Sequence, residues 1–181
     1  MENTSYDSRV NNIKTIFFIC VITLSLSSFA DDLFGYVYKV VDGDTVWIKS
    51  FDQNNKNLYT KFKVRLVGID APEINQYYGL VAKNFLKTRI FNKKVAIHDY
   101  GIDRYDRMLA KILLNDVDIN ALMIETGHAW FYKKYKRSLS LEDQQKYLEL
   151  ENNARNNKIG LFANSDYYIE PWKWRKNKSK N

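Results

Sequence analysis

Apolar and polar positions alternate through the first half of the chain in the two-residue rhythm of strands. Phe34 to Val41 and Thr45 to Lys49 are rich in Val, Tyr, Trp and Ile, with Asp42-Gly43 between them. Asp-Gly between two β-rich runs predicts a tight turn, glycine accommodating a positive φ. Lys61 to Val67 sets Phe62, Val64 and Leu66 on one face and Lys63, Arg65 and Val67 on the other, which predicts a third strand. Polar Asp52 to Asn57 reads as the loop before it. After Pro72 the period changes: Val81, Ala82, Phe85, Leu86 and Ile90 recur at helical spacing within Tyr78 to Phe91. Lys94 to Asp99 and Met108 to Leu114 read as two more strands. Ile119, Leu122, Met123 and Thr126 form a helical stripe ended by Gly127. Ser140 and Asp143 open a last helix that reaches Asn157. Three strands, a helix, two strands and two helices predict an α+β fold, mainly β: a five-stranded Greek-key barrel of the OB type with three helices.

The ends of the chain read differently. Arg9 and Lys14 precede an apolar run from Ile16 to Leu26, followed by Ser27, Ser28, Phe29 and Ala30. Small residues at Ser28 and Ala30 fit a cleavage site, so residues 1–30 read as a signal peptide and Asp31 begins the mature chain. An uncleaved N-terminal anchor is the alternative. The run is shorter than the roughly 20 apolar residues of a membrane span. Residues 31–165 then make one barrel domain, and 166–181 a basic tail holding Trp172 and Trp174. With five cations and no acids from Pro171 to Asn181, that tail reads as a solvated, frayed end, a nucleic-acid-gripping tail being the alternative. The expected product is a secreted or periplasmic monomer without stable membrane association after cleavage.

Charge narrows the partners. The net charge is +7, and the leader holds two cations and two acids, so the excess belongs to the rest. A basic balance points to nucleic acid or to an anionic membrane surface. The membrane reading calls for a helix with one lysine-rich face, whereas the last helix of the barrel domain mixes Glu, Asn and Lys. Cys20, the one cysteine, lies in the leader, leaving a mature chain that cannot form disulfides.

Three clusters carry the chemistry. Turn formation accounts for Asp42 and Gly43 but gives no reason for a second acid at Asp44. In Val64-Arg65-Leu66-Val67-Gly68-Ile69-Asp70-Ala71-Pro72-Glu73, an arginine stands in an apolar strand, where it is costly to bury unless paired. The ordinary reading is a salt bridge from Arg65 to Asp70 or Glu73 on the barrel rim. Asp103-Arg104-Tyr105-Asp106-Arg107 is a polar loop that delivers Arg107 at the entry of a strand. Together they supply what phosphodiester cleavage needs: hard oxygen ligands for a cation, a water-activating carboxylate, and two planar guanidinium forks for phosphate.

D-G-D-T, then V-R-L-V-G-I-D-A-P-E, then D-R-Y-D-R-x-L-A, in this order, resembles the staphylococcal nuclease family over about Phe34 to Phe162. The resemblance implies an OB-type barrel that uses calcium to hydrolyse DNA and RNA to 3′-phosphate-ended products. Position by position, it makes Asp44 and Asp70 the calcium carboxylates, with the Ala71 backbone carbonyl beside them. Arg65 and Arg107 become the catalytic arginines and Glu73 the proposed general base. It also sets Arg104, Tyr105, Tyr132 and Tyr135 near the substrate. Two positions depart from the family pattern. Ala71 stands where threonine is frequent, a change that spares a backbone ligand. Asp106 stands where glycine commonly follows the tyrosine, which bears on the shape of the loop.

Trp130, Phe131, Tyr132 and Tyr135 interleave with Lys133, Lys134, Lys136 and Arg137. Trp130 and Phe131 read as core, whereas the two tyrosines are placed to stack on bases, a mode suited to single strands. His98 and His128 have no cysteine or histidine at ligand spacing, so neither zinc nor histidine catalysis is expected. The rival function, a non-catalytic OB module that binds nucleic acid, predicts losses among Asp44, Arg65, Asp70, Glu73 and Arg107, yet all five are present.

Overall fold

β-Branched and aromatic residues build the first three strands. In the computed structural model, which describes residues 33–51, 58–164 and 169–178, these are β1 (Leu33–Val40), β2 (Thr45–Phe51) and β3 (Tyr59–Leu66). They pair antiparallel in sequence order. Val46, Ile48, Val64 and Leu66 point inward and are fully buried, while Trp47, Lys49, Lys61 and Lys63 take the opposite parity. A short β4 (Ile69–Asp70) leads to α1 (Gly79–Ile90), then β5 (Lys94–Ile102) and β6 (Met108–Leu114). β7 (Val117–Asp118) runs into α2 (Ile119–Glu125), and β8 (Trp130–Phe131) precedes α3 (Leu141–Asn156) and α4 (Pro171–Lys178).

The sheet order is β3-β2-β1-β5-β6-β7, and β3 also pairs with β6. That last pairing is parallel, matching Val64, Arg65 and Leu66 to Met108, Leu109 and Ala110. It closes a mixed barrel on β1, β2, β3, β5 and β6, the OB-type α+β architecture expected from the sequence. The chain divides into two units, 1–30 and 31–181, and every described residue lies in the second; the leader reading falls outside the described residues. No helix among the described residues is long and apolar enough to cross a membrane.

Three details differ from the sequence reading. Among the described residues there are four α-helices rather than three, because the tail supplies α4. β4 and β8 pair with each other, and two residues apiece are too few to show a period. Gly43 is absent from the residues with positive φ. Its role is close approach: a Cβ there would lie 2.6 Å from the Ala71 Cβ and 2.9 Å from the Ala82 Cβ. Glycine thus lets the acidic turn settle against α1 and the exit of β4.

The parallel seam has a polar staple. Asn120, fully buried on α2, donates to the carbonyls of Val67 (2.9 Å) and Ala110 (3.1 Å) and accepts from the Ile112 amide (3.2 Å). It bridges the chain just after β3 to β6, at the join that makes the sheet a barrel. Nearby, Asp118 caps α2 through the Ala121 amide and accepts the Tyr147 hydroxyl, tying α3 to the same corner. On the other side, His128 stacks on Phe85 of α1 with ring centres 3.9 Å apart. Burial pushes its pKa down to about 4, the Arg89 charge adds to that, and the bond to Thr126 works against it.

Two outcomes follow. Asn120→Ala removes three buried hydrogen bonds to backbone groups, of which the Ala110 carbonyl also accepts the Val67 amide, and is expected to cost roughly 3 kcal/mol, seen as a lower urea midpoint with an unchanged slope. Below its ordinary pKa of 6.5, the His128 ring is protonated in the unfolded chain but refused a proton in the folded one until about pH 4. Stability therefore falls as pH drops through that window, by about 3 kcal/mol in full. His128→Phe keeps the stack and should flatten this part of the profile; an unaltered profile would exclude the ring as its source.

Candidate active site

The strands converge their polar ends on one rim. Asp44 leaves the turn between β1 and β2, and its carbonyl accepts the Leu66 amide at 2.8 Å, so the turn is bonded to β3. Thr45 is the register partner of Arg65, and Arg65 faces Leu109 across the parallel seam. Asp70 sits in β4 opposite Trp130 of β8, and the Tyr132 amide donates to Gly68 at 2.8 Å. Gly68 has φ +77, a conformation that turns the chain sharply from β3 into β4. The Ala71 amide donates to Asp44 Oδ2 at 2.7 Å, locking the two acidic segments together.

All the residues named from the sequence line one cavity of about 740 Å³: Asp44, Arg65, Asp70, Ala71, Glu73, Arg104, Tyr105, Arg107, Tyr132 and Tyr135. Arg65 is its pivot. Nη2 lies 3.1 Å from Asp44 and 2.8 Å from Asp70, and Nη1 donates to the Leu66 carbonyl at 2.8 Å. The anticipated partner Asp70 is present; Glu73 is not paired with Arg65. Arg107 reaches the cavity from the loop between β5 and β6, held by Asp103 through Nε (2.9 Å) and Nη2 (2.6 Å). The other Asp103 oxygen accepts the amides of Tyr105 and Arg107, making the loop a compact turn. Asp106 takes φ 60 there, the left-handed conformation glycine would supply, so the departure from glycine keeps the loop's shape. Arg104 bonds the Tyr105 hydroxyl at 2.6 Å, and Tyr132 meets Tyr135 edge to face at 5.1 Å.

One contributor had no signal in the sequence. Arg175 of α4 donates through Nη2 to Asp70 Oδ2 (2.8 Å), and through Nη1 to Glu73 Oε1 (2.7 Å) and Asp70 Oδ1 (3.3 Å). The described part of the tail is therefore not a frayed end: residues 171–178 are helical, Pro171 is buried, and Trp172 stacks on Tyr132 at 5.2 Å and 19°. Apolar packing of the Trp172 ring outweighs solvation of the surrounding lysines. Lys63, one strand position pair before Arg65, also lines the cavity, and it was legible in the alternation of β3.

The electrostatics describe a site short of positive charge. Burial raises the Asp70 pKa to about 6 although Arg65 and Arg175 pull the other way, and the Asp44 charge adds to the rise. Burial and then the Asp44 charge raise Asp42 to about 7. Burial works against the Arg65 charge, but Asp44 and Asp70 hold its pKa above the ordinary value. Among the described residues no three His, Cys, Asp or Glu side chains group as a ready metal cage. The donors at hand are hard oxygens nonetheless. Asp44 and Asp70 lie close enough to share one guanidinium nitrogen, and a hard divalent cation bound by two carboxylates, a carbonyl and waters suits that donor set.

A barrel rim that gathers carboxylates, guanidinium groups and tyrosines in one nucleotide-sized cavity defines a phosphate-directed site on an OB-type fold. Comparison with known proteins gives the family. The profile described as Staphylococcal nuclease homologue matches residues 63–164. The chain is 32% identical over 178 residues to the Micrococcal nuclease of Shigella flexneri, covering 93% of this chain and 95% of that one. It is 34% identical over 148 residues to an Uncharacterized endonuclease of Escherichia coli O157:H7, covering 81% and 88%. It is 37% identical over 132 residues to Probable staphylococcal-like nuclease CAN4 of Oryza sativa subsp. japonica, covering 73% of this chain and 25% of that longer protein. The chain belongs to the staphylococcal nuclease homologue family.

Proposed function

We propose that the protein is a calcium-dependent nuclease that hydrolyses DNA and RNA to 3′-phosphate-ended products, acting as an exported monomer. The observation that carries this reading is the convergence of Asp44, Arg65, Asp70, Glu73 and Arg107 on one cavity, in a chain of this family. Export rests on the leader features of residues 1–30. Calcium fits the hard-oxygen donors of Asp44, Asp70 and the Ala71 carbonyl; when bound, it supplies a Lewis-acid contact to the phosphate and acidifies water.

The chain's own groups then have distinct tasks. Arg65, fixed by two carboxylates and a carbonyl, presents its remaining N–H groups to a phosphate oxygen from the barrel wall. Arg107, aligned by Asp103, approaches from the facing loop. Glu73 accepts a proton from, or orients, the attacking water. The water oxygen bonds to phosphorus as the bond to the sugar 5′-oxygen breaks; the water's proton passes to Glu73, the departing oxygen takes one from solvent, and the phosphate stays on the 3′ side. Both guanidinium groups stabilise the extra negative charge on the phosphoryl oxygens, each worth on the order of 3–4 kcal/mol.

A preference for single strands belongs to the same reading. Tyr105, Tyr132 and Tyr135 line the cavity, offering rings to splayed bases. Beyond Arg65, the outward face of the sheet continues through Lys63 and Lys61 to Tyr59. Lys49 lies over the Tyr38 and Tyr59 rings at 5.0 and 5.1 Å, and Lys61 over the same rings at 5.8 and 5.2 Å. This face runs about 20 Å along β3 and alternates rings with cations as a single strand requires.

Denatured DNA and RNA should be cut with calcium and spared with chelator, and the new ends should release phosphate to a phosphatase. Arg65→Lys and Arg107→Lys should each lower turnover at least about a hundredfold; near-normal rates in both would remove the mechanism. For the sheet face, Lys49→Ala with Lys61→Ala should flatten the salt dependence of oligonucleotide binding in chelator by about 0.7 in slope per lysine. An unchanged slope would confine the substrate to the cavity.

A further inference from the structure

We propose that Arg175 is a positioning residue of this site, resting on the nuclease reading: from the C-terminal helix it orients Glu73 and balances the charge of Asp70, thereby setting the affinity for the divalent cation. Its guanidinium spans two of the carboxylates, 2.8 Å from Asp70 and 2.7 Å from Glu73. The fork geometry suits this bridging contact, one nitrogen to each acid. The hydrogen bonds and charges of Asp70 and Glu73 raise the Arg175 pKa against the opposing effect of burial. Arg65 cannot take over the contact with Glu73, since it is committed to Asp44, Asp70 and the Leu66 carbonyl.

The helix is docked so as to hold that side chain in place. Trp172 stacks on Tyr132 and meets Trp130 edge to face at 6.4 Å. Proline at the first helical position fixes φ where no amide partner is needed. Glu170 pairs with Lys173 at 2.8 Å across the first turn. Gln76 then joins helix and site. Its Oε1 accepts the Glu73 amide at 3.1 Å, and its Nε2 donates to the Ile169 carbonyl just before α4. Glu73 is thus held through its backbone by Gln76 and through its carboxylate by Arg175, both connected to the same C-terminal segment.

Two opposite consequences follow from one charge. Arg175 competes with a cation for Asp70, so its removal leaves Asp44, Asp70 and Glu73 facing Arg65 and favours cation binding. The same removal frees the Glu73 carboxylate to rotate, and a misplaced base slows the chemical step. A residue that merely stitched the helix to the barrel would weaken both properties or neither.

The test compares the full chain with Arg175→Ala and Arg175→Lys. Calcium binding is measured by titration calorimetry without nucleic acid, and kcat and KM on a short single-stranded oligonucleotide at saturating calcium. Arg175→Ala should bind calcium about tenfold more tightly and show kcat at least about tenfold lower with KM little changed. Arg175→Lys should recover the wild-type calcium affinity and only part of kcat, because an ammonium keeps the charge without the fork. Calcium affinity that is unchanged or weaker in Arg175→Ala, or an undiminished kcat, would overturn the proposal. Should alanine unfold the helix, Arg175→Gln keeps length and hydrogen bonding without charge and is judged by the same two measurements. Absence of turnover in the wild-type chain would instead sink the nuclease reading, leaving the calcium titration to decide on Arg175.

Discussion

A carboxylate taken out of water demands compensation, and Asp70 is only 1% exposed. Burying such a charge without partners costs far more than a small domain can offset. The fold answers with two guanidinium groups that arrive from opposite directions, Arg65 within the barrel wall and Arg175 from the C-terminal helix. Each is held by something else as well: Arg65 by Asp44 and a backbone carbonyl, Arg175 by Glu73. The acidic rim is therefore a network in which no member can be moved alone. Its geometry depends on the parallel β3–β6 seam, since that pairing fixes Arg65 against Leu109, and Asn120 secures the seam from within.

What the sequence made legible divides along physical lines. Strands of period two and amphipathic helices are local signals, so the five long strands and the first three helices lay near where the alternation put them. Clustered motifs were legible too: each of Asp44, Arg65, Asp70, Glu73 and Arg107 has an ordinary structural reading alone, but the three short runs that hold them, in this order, match one family pattern. β4 and β8 were not legible, because two-residue pairing leaves no period. Asp-Gly between strands predicts a turn glycine chosen for its φ, whereas packing against Ala71 and Ala82 is what requires Gly43. A missing Cβ in a sequence does not say which neighbour would have struck it.

Arg175 illustrates the deeper limit. It lies 105 positions from Asp70 in a segment of five cations, and local composition favours solvation for every one of them. The segment's fate turns on Trp172, whose ring finds Tyr132 and Trp130, and on Pro171, which starts the helix at the right point. Once the ring is docked, the cations cease to be equivalent. Lys173 points to Glu170 while Arg175, one half-turn further, meets the carboxylates. The excess positive charge of the chain, read at first as a general attraction to polyanions, is in part an internal counterweight to the acidic rim.

The two arginines assigned to phosphate differ in what else they do. Arg65 lies in the barrel wall, and its bonds to Asp44 and Asp70 join the two segments that carry the proposed cation ligands. It is structural before it is chemical, and its replacement would unbalance buried acids as well as remove the proposed phosphate contact. Arg107 is tethered to a single acid, Asp103, within a loop whose neighbours Arg104 and Tyr105 are exposed. Asp106 holds that loop in a glycine-like turn, so in the proposed mechanism Arg107 would exchange Asp103 for a phosphate oxygen without disturbing the barrel. One guanidinium is thus fixed by the barrel wall and the other by a single acid in a compact loop, so the proposed phosphate grip would combine two contacts of different structural cost.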